Sequence, residues 1–251
     1  MKAFIKALLR KFGIIAMKRA SRVYLPEDES YRIAVEQCGK AAPVIVDGGA
    51  HTGGTVEAFQ AIVPCAEFHC FEPDASLVVG LQAKFADDAN VHVVHAALGE
   101  RPGTAVLNIN ASRPTNSLLP AVEGLQSDLR GLCQTVEQVE VALTSIDAYC
   151  AQQRLDRVDI VKLDLQGYDF HALIGASKAM QAARVVLVEV LFTEIYRGCR
   201  LFPDILFLMG QYGFRLFTLS GIHYGAHDEL LWADAIFVRE AKLRNALESP
   251  A

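Results

Sequence analysis

Apolar residues fall into short runs that alternate with amphipathic segments along this chain, which is the pattern of an α/β protein. Five runs are continuous enough to be strands buried on both faces of a parallel sheet. These runs are residues 44–47, 68–71, 90–95, 158–163 and 184–192. The intervening helical patterns cover residues 55–63, 74–85, 145–153, 170–180 and 203–211. The alternation predicts an open, doubly wound sheet.

The middle and the end of the chain are less regular. Residues 103–110 and 138–142 predict further strands, and residues 96–99 predict a turn. Prolines and glycines interrupt any helical or strand periodicity within residues 111–134, which is typical of a lid or binding loop. The final apolar runs, 214–219 and 229–238, predict an antiparallel ribbon.

The first strand leads into an unusual turn. Asp47 is followed by four glycines within residues 48–54, and a helical segment begins directly afterwards. Glycine lets the backbone turn with positive φ and lets a ligand approach closely, while the helix start offers free N–H groups. A nucleotide-type ligand is therefore expected here. The spacing is not the G-x-G-x-x-G of a dinucleotide site.

Two acids at neighbouring strand ends sharpen this expectation. Asp47 would repel a pyrophosphate but would attract the ammonium group of an amino acid. Glu72 ends the second strand and can accept hydrogen bonds from both hydroxyls of a ribose. An amino acid joined to a ribose describes S-adenosylmethionine, and its adenine would lie beside residues 96–99. The alternative is an ordinary glycine turn, with Asp47 as a helix cap.

A second charged strand end lies in residues 158–169. Lys162 and Asp164 share one face of this strand, and unpaired charges are costly inside a covered sheet. They must therefore pair with each other or reach the rim where a ligand binds. Glu189 interrupts the next apolar strand, where structural pairing and a place in the site are both open.

Charge is unevenly distributed along the 251 residues. Seven of the 24 basic residues lie within residues 1–22, which hold no acid, so the remainder carries 17 basic and 29 acidic residues. An acidic body argues against nucleic-acid binding. The six cysteines form no C-x-x-C pair, which favours free thiols in the cytoplasm.

Residues 1–17 have apolar side chains at helical spacing with basic residues between them. No apolar run is long enough to span a membrane, and the basic residues interrupt any signal-peptide core. One hypothesis is a helix in peripheral contact with the inner membrane face through residues 1–22. The alternative is a helix packed on the body or on a partner.

Several motifs in order carry a family resemblance across about residues 43–239. They are Asp47-Gly48-Gly49-Ala50-His51-Thr52-Gly53, Phe71-Glu72-Pro73, Ala97-Leu98-Gly99, Ser145-Ile146-Asp147, Lys162-Leu163-Asp164-Leu165-Gln166-Gly167-Tyr168-Asp169, Val188-Glu189 and Asp234-Ala235-Ile236-Phe237-Val238. This set resembles the FkbM family of S-adenosylmethionine-dependent methyltransferases. The family often has Asn in place of His51 and Glu in place of Gln166.

The resemblance implies the α/β class I methyltransferase fold. This is a Rossmann-like, open and mostly parallel seven-stranded sheet with an antiparallel last strand and helices on both faces. The expected organisation is a basic N-terminal helix and connector (1–42), a methyltransferase domain (43–240) and a C-terminal tail (241–251). The resemblance also implies O-methylation of a hydroxyl on a sugar, glycan or related natural product, so the expected partner is a small-molecule or glycan acceptor.

Methyl transfer to a hydroxyl requires alignment of oxygen, carbon and sulfur and help in removing a proton. Asp164 is predicted to be the base or a metal ligand, with Lys162 and Glu189 in support. A divalent cation on Asp164 and Glu189 would be an alternative way to acidify the hydroxyl, although the sequence does not require one. The predicted cofactor-binding residues are Asp47, Gly48, Gly49, Ala50, His51, Gly53, Glu72, Ala97 and Asp164.

Two other functions stay open at this point. The chain could be a dinucleotide-dependent oxidoreductase, although Asp47 and the glycine spacing disfavour that reading. It could also be a non-catalytic cofactor-binding module that docks on a glycan-assembly complex through its N-terminus. Binding of S-adenosylmethionine without methyl transfer to any acceptor would favour the second alternative.

Overall fold

A computed structural model describes residues 27–125 and 127–240 of the chain. The strands are β1 (Val44–Gly48), β2 (Glu67–Phe71), β3 (Val91–Val94), β4 (Ala97–Leu98), β5 (Gly103–Asn110), β6 (Thr135–Thr144), β7 (Ile160–Leu163), β8 (Val185–Leu191), β9 (Phe214–Tyr224) and β10 (Leu230–Arg239). The helices are α1 (Glu27–Cys38), α2 (Gly54–Gln60), α3 (Ala75–Lys84), α4 (Ser127–Leu132), α5 (Ile146–Gln153), α6 (Asp169–Ile174), α7 (Ala179–Ala182) and α8 (Phe202–Gln211), together with a 3-10 helix, Arg113–Thr115.

Seven strands form the main sheet in the order β3-β2-β1-β7-β8-β10-β9. β1 pairs in parallel with both β2 and β7, and β10 runs antiparallel to both of its neighbours, β8 and β9. The sheet is therefore mostly parallel with an antiparallel last strand, which confirms the predicted class I methyltransferase fold. The strand order changes direction at β1, so a crevice opens beyond its carboxyl end.

Helices cover both faces of this sheet. Buried residues of α5, α6, α7 and α8 join one hydrophobic core, and buried residues of α1, α2 and α3 join the other. The central strands supply side chains to the two cores alternately: Val46 packs into the first and Ile45 into the second. This alternation is why these strands carry apolar residues on both faces.

A second, three-stranded sheet in the order β4-β6-β5 was not predicted. β5 and β6 lie close to the strands expected at 103–110 and 138–142, but they pair with each other rather than joining the main sheet. The prediction of a simple turn at 96–99 is wrong, because β4 pairs in parallel with β6. Ala97 is held there by a small apolar core of its own.

The helix predicted at 170–180 is divided into α6 and α7. A Cβ at Gly175 would lie 2.1 Å from the carbonyl oxygen of Gly99, so the backbone is packed too closely there for a side chain. Asp147 then accepts the backbone N–H groups of Lys178 and Ala179 at 2.8 and 2.9 Å, which starts α7. A tertiary contact therefore overrides the local helical pattern.

α1 lies in the stretch 25–42, which was expected to be a connector with a short helix from Tyr31 to Cys38, and it begins four residues earlier than that pattern predicts. Its residues Ile33, Ala34 and Cys38 are buried in the second core. The predicted basic helix within residues 1–22 and the predicted tail at 241–251 lie outside the described residues. Within the described ranges, no helix combines the length and the hydropathy needed to cross a membrane. The cysteines are all free, and Cys65 is exposed.

Candidate active site

A cavity of about 640 Å³ opens at the carboxyl ends of β1, β2 and β7. Six of the nine predicted cofactor-binding residues line it: Gly49, Ala50, His51, Glu72, Ala97 and Asp164. Four elements contribute these residues: the turn after β1, the end of β2, the short strand β4 and the end of β7. The structure thus brings together strand ends that are more than a hundred residues apart in sequence.

The other three predicted residues, Asp47, Gly48 and Gly53, do not line this cavity. Asp47 is fully buried behind the turn. A Cβ at Gly48 would meet the side chain of Leu163 at 2.8 Å, and a Cβ at Gly53 would meet the ring of Phe85 at 2.5 Å. Close packing beneath the turn is the role that the structure gives to these two glycines.

Gly49 is where the turn requires glycine. Its φ is +77°, and a Cβ there would lie 2.0 Å from the carbonyl oxygen of Asp164. The backbone N–H of Asp164 in turn donates to the carbonyl of Gly48 at 3.1 Å. These contacts hold the turn after β1 against the end of β7, which fixes two walls of the cavity relative to each other.

Glu72 is held by the backbone on both sides. Its Oε2 accepts the N–H of His51 at 2.9 Å, and its Oε1 accepts the N–H of Asp74 at 2.9 Å. Burial raises the pKa of Glu72 to about 7, although these two N–H donors oppose the shift. Each oxygen keeps one free lone pair, so the carboxylate can accept two further hydrogen bonds from a ligand.

Lys162 lies between two carboxylates beneath the cavity. Its Nζ is 3.5 Å from Oδ1 of Asp47 and 3.9 Å from Oδ2 of Asp164. Burial alone would lower the pKa of Lys162, but these carboxylates outweigh burial and hold its pKa above the usual value. Lys162 is therefore an ammonium ion, and it is the member of the Lys162–Asp47 pair that lines the cavity.

Gln166 connects Asp164 to Glu189. Its Nε2 donates to Oδ1 of Asp164 at 2.8 Å and to Oε2 of Glu189 at 3.0 Å. The Tyr196 hydroxyl lies 2.5 Å from the amide oxygen, to which it can donate, and this orients the amide. Burial and the neighbouring Asp164 raise the pKa of Glu189 well above its usual range. This shift favours the protonated form of Glu189.

The loop that carries Gln166 is fixed from below by Asp169. Its carboxylate accepts the backbone N–H groups of Leu165 at 3.0 Å and Gly167 at 3.2 Å. Gln166 itself has a φ of +52°, a left-handed conformation that is uncommon outside glycine. The loop thus presents the Gln166 side chain to both carboxylates through a strained backbone conformation.

The irregular segment at 111–134 forms one wall of the cavity. Arg113, Asn116 and Ser117 line it. Arg113 pairs with Asp74, and Asn116 Nδ2 donates to the same carboxylate at 3.2 Å. Ser117 Oγ donates to the carbonyl of Gln166 at 2.8 Å. The predicted binding loop therefore closes over the strand ends.

A second cavity, of about 270 Å³, adjoins the first. Asp164, Gln166 and Asp234 line both cavities. The second also contains Glu189, Tyr196, His223 and Trp232. The rings of Trp232 and His223 are stacked, with centroids 4.5 Å apart and an angle of 18° between their planes. A flat aromatic surface therefore lies beside several hydrogen-bonding groups.

The position suggested for a cation between Asp164 and Glu189 is already bridged by a side chain. The amide of Gln166 donates to both carboxylates, so a hydrogen-bond donor already bridges them. Among the described residues, the three-residue group with metal-ligand spacing is Glu67, His69 and His92, on other strands. A cation on Asp164 and Glu189 would have to displace the amide.

Sequence reasoning missed several residues of the site. Ser30 and Tyr31 of α1 line the first cavity, although this stretch was assigned to a connector. Tyr196 and Trp232 were not singled out, because each lies in a segment whose pattern predicts only structure. Asp234 was quoted only as part of a motif, yet it lies opposite Glu189 in the β8–β10 register.

The first cavity fits S-adenosylmethionine in size and in chemistry. Its volume falls within the usual range for ligand sites of a few hundred to a thousand Å³. Glu72 has two free lone pairs for ribose hydroxyls, and the ammonium of Lys162 faces the space where a carboxylate could bind. Ala97 and Leu98 add an apolar wall suited to an adenine ring.

Comparison with known proteins agrees with this fit. The sequence model of the methyltransferase FkbM domain matches residues 47–216. A relative, the 2-O-methyltransferase NoeI of Sinorhizobium fredii, is 22% identical over 178 residues, covering 67% of this chain and 71% of the relative. The residues matched by the family model contain the ends of β1, β2 and β7.

Two solved structures have similar chain paths. A putative sarcosine dimethylglycine methyltransferase from Galdieria sulphuraria has a TM-score of 0.49 at 9% identity, over 85% of each chain. Magnesium protoporphyrin IX methyltransferase (ChlM) from Synechocystis PCC 6803, solved with bound S-adenosylmethionine, has a TM-score of 0.45 at 12% identity, over 95% of this chain and 96% of the other. The match to the family model covers well over half of this chain, and the chain therefore belongs to the FkbM family of methyltransferases, which use S-adenosylmethionine as the methyl donor.

Proposed function

We propose that the chain methylates a hydroxyl oxygen of a sugar or a related polyhydroxylated molecule. The observation that carries this proposal is the position of Asp164, which lines both cavities. With the cofactor in the first cavity and the acceptor in the second, the carbon and the attacking oxygen meet beside this carboxylate. Asp164 is 39% exposed, so a substrate hydroxyl can reach it.

The cofactor, when bound, supplies an electrophilic methyl group on a positively charged sulfur. Glu72 would hold the ribose, because its carboxylate has two remaining acceptor positions. Lys162 would attract the carboxylate of the amino-acid part, and Asp47 would act through Lys162 by keeping it charged and in place. Direct contact between Asp47 and the cofactor ammonium stays a prediction, since Asp47 does not line the cavity.

Asp164 would take the proton of the acceptor hydroxyl as the new O–C bond forms. A carboxylate is too weak a base to ionise an alcohol beforehand, but it can accept the proton as the oxygen loses charge to carbon. Gln166 donates a hydrogen bond to Asp164, and the ammonium of Lys162 attracts the same carboxylate from 3.9 Å, so both keep it in position. Lys162, an ammonium ion, has no lone pair with which to serve as the base.

Glu189 would position the acceptor rather than deprotonate it. In its protonated form it can accept the hydrogen bond from Gln166 and still donate its own O–H to a substrate oxygen. A protonated Glu189 also keeps a second negative charge away from Asp164. Glu189 and Gln166 thus offer one donor and several acceptors to neighbouring hydroxyls, as a polyol requires.

The second cavity suits a sugar ring. One face of a pyranose exposes mainly C–H groups, which can pack on the flat surface of Trp232 and His223, while the hydroxyls at its edge can pair with Glu189 and Tyr196. The relative NoeI carries the name 2-O-methyltransferase, which supports oxygen as the accepting atom. An apolar acceptor would form no hydrogen bonds with Glu189 and Tyr196.

Transfer of a deuterated methyl group tests the proposal. The full chain is incubated with methyl-deuterated S-adenosylmethionine and the polysaccharide and glycolipid fractions of its host cell. Mass spectrometry after hydrolysis should find the label in an alkali-stable methyl ether on a sugar. Label that appears only in amines, carboxylic esters or nucleic acid would refute O-methylation of a polyol.

We also propose that residues 1–22 attach the enzyme to an anionic membrane surface. The support is their seven basic residues and the absence of acids, against an acidic remainder of the chain. Flotation with anionic vesicles should be salt-sensitive and should be lost when residues 1–22 are deleted, while methyl transfer persists. A deletion variant that still floats would refute this attachment.

A further inference from the structure

Two histidines and a glutamate converge at the edge of the main sheet. Glu67 and His69 are two residues apart on β2, so their side chains share one face of the sheet. His92 lies on the edge strand β3, directly beside His69 in the parallel register. His69 is three residues before Glu72, so roughly 10 Å of strand, at about 3.3 Å per residue, separates this cluster from Glu72 in the cofactor cavity.

Two of the spacings among the three ligand atoms match one small metal ion. Oε1 of Glu67 is 3.4 Å from Nε2 of His69 and 3.4 Å from Nε2 of His92. All three atoms lie within 4.8 Å of one another. Ligands at about 2.0–2.1 Å from a tetrahedral Zn²⁺ are about 3.3–3.4 Å apart. Both measured spacings therefore have the value that a shared zinc ion would require.

A buried nitrogen points to the missing partner. His69 is only 3% exposed, and its Nε2 has no hydrogen-bond partner among the described residues. The Glu67 oxygen at 3.4 Å does not complete a hydrogen bond with it. Buried polar atoms without a partner are rare in folded proteins, because they lose their bonds to water and gain none. A bound metal ion would satisfy this nitrogen.

Tyr149 contacts the other ring nitrogen of His69. Its hydroxyl lies 2.9 Å from Nδ1 of His69. When Nδ1 carries the proton and donates it to the hydroxyl, Nε2 holds a lone pair and is free to bind a metal. Metal-binding histidines commonly have such a partner on their other nitrogen.

The simplest competing explanation is an ion pair between Glu67 and protonated histidines. His69 is only 3% exposed, so a positive charge on its ring would be held away from water. The His69 and His92 rings are also stacked, with centroids 4.8 Å apart, which would place two positive charges in contact. A cation shared through the Nε2 lone pairs avoids both problems, and it would require the rings to turn out of the stack, because each lone pair lies in the plane of its ring.

We propose that Glu67, His69 and His92 form a Zn²⁺ site that clamps the edge strand β3 to β2. The side chains of His92 and Glu67 are 46% and 41% exposed, so the fourth position of the ion opens to solvent and is filled by water. The site is separate from the methyl-transfer chemistry. Its role is to secure the four-residue edge strand β3, which pairs with the main sheet only through β2.

Zinc titration of the full chain, stripped with a chelator and then dialysed, tests the site. Calorimetry should find one Zn²⁺ per chain with micromolar or tighter affinity. His92→Asn and Glu67→Gln should each weaken binding at least about a hundredfold, and Tyr149→Phe about ten- to a hundredfold. His227→Asn, which changes an exposed histidine elsewhere, is the matched control and should bind as the parent does.

Stability and activity readouts separate a structural site from other possibilities. Zinc should raise the thermal midpoint of the parent and of His227→Asn but not that of His92→Asn. Methyl transfer should be unchanged by zinc removal at a temperature where the chain stays folded. Failure of the parent to bind zinc, or equal binding by His92→Asn and Glu67→Gln, would overturn the site. Loss of methyl transfer on zinc removal would overturn its structural role.

Discussion

The two cavities that meet at Asp164 are built in different ways. The larger one is centred on the strand ends of the parallel sheet: the turn at Gly49, the carboxylate of Glu72 held between two N–H groups, and the short strand that carries Ala97. The smaller one is lined by residues from several separate segments, including Tyr196, Trp232 and the segment around 129–133.

This difference assigns a task to each cavity. Walls at strand ends are held in place by the sheet, so the larger cavity suits a ligand that many related enzymes share. Walls from separate segments outside the strand ends can be reshaped by single substitutions, so we assign the smaller cavity to the acceptor, which gives each enzyme its specificity. The following predictions separate the two tasks, beginning with Asp164, which lines both cavities.

Asp164→Asn should have the largest effect on turnover. The change keeps the shape of the side chain and removes the base, so kcat for methyl transfer should fall at least about a hundredfold. The dissociation constant of S-adenosylmethionine should change much less, because Glu72 and the turn are untouched. Asp87→Asn, at an exposed position, is the control. Unchanged turnover would make Asp164 a structural residue.

Glu72→Ala should weaken cofactor binding and leave acceptor binding unchanged. Loss of two buried hydrogen bonds costs roughly 1.5–3 kcal/mol, which is about a ten- to hundred-and-fiftyfold rise in the dissociation constant by calorimetry. The KM for the acceptor should stay near the parent value. Glu137→Ala, an exposed glutamate, is the control. If cofactor affinity is unaffected, the ribose does not bind at Glu72.

Trp232→Ala should weaken acceptor binding and leave cofactor binding unchanged. Removal of the aromatic surface should raise the KM for the acceptor about tenfold, or ~1.4 kcal/mol, without changing cofactor affinity. Phe207→Ala, at a side chain exposed on α8, provides the control. A larger effect on cofactor binding than on the acceptor KM would contradict the assignment of the smaller cavity.

The pH dependence of cofactor binding should be the smallest of these effects. Burial raises the pKa of Glu72 to about 7. Only the carboxylate can accept two ribose hydroxyls while it holds both N–H groups, so affinity should fall by up to about tenfold per pH unit below 7. Calorimetry at pH 6, 7 and 8 checks this, and Glu72→Gln should flatten the profile.

The same raised pKa affects stability with the opposite sign. The folded chain holds the Glu72 proton more tightly than the unfolded chain, whose glutamates titrate near 4.3. The contribution of Glu72 to stability is therefore largest at low pH and is lost as the pH rises from about 4.3 to about 7. Across this window cofactor affinity rises while the stability of the free chain falls.

The sequence predicted the larger cavity well because its chemistry is local. An acid at a strand end, a glycine turn and a helix start lie within a dozen residues, and strand ends of a parallel sheet meet at one edge. The close packing of Gly48 and Gly53 could not be predicted, since their neighbours Leu163 and Phe85 come from distant parts of the chain. Asp47 likewise pairs with Lys162 across two strands.

The smaller cavity could not be predicted in this way. Tyr196 follows an apolar strand and Trp232 lies in the terminal ribbon, so each residue has a purely structural explanation when its segment is considered alone. The three-stranded sheet and the break at Gly175 depend on contacts between segments that no local period contains. The Zn²⁺ cluster needed the register of β2 and β3 as well.

The most direct test of the division between the cavities is a crystal structure with S-adenosylhomocysteine and the acceptor identified by labelled methyl transfer. We predict that both ribose hydroxyls lie within hydrogen-bond distance of Glu72 and that the acceptor ring packs on Trp232. The reacting hydroxyl should lie about 2.6–3.2 Å from Asp164. A nucleoside in the smaller cavity, or an acceptor oxygen that approaches from a side remote from Asp164, would contradict the account.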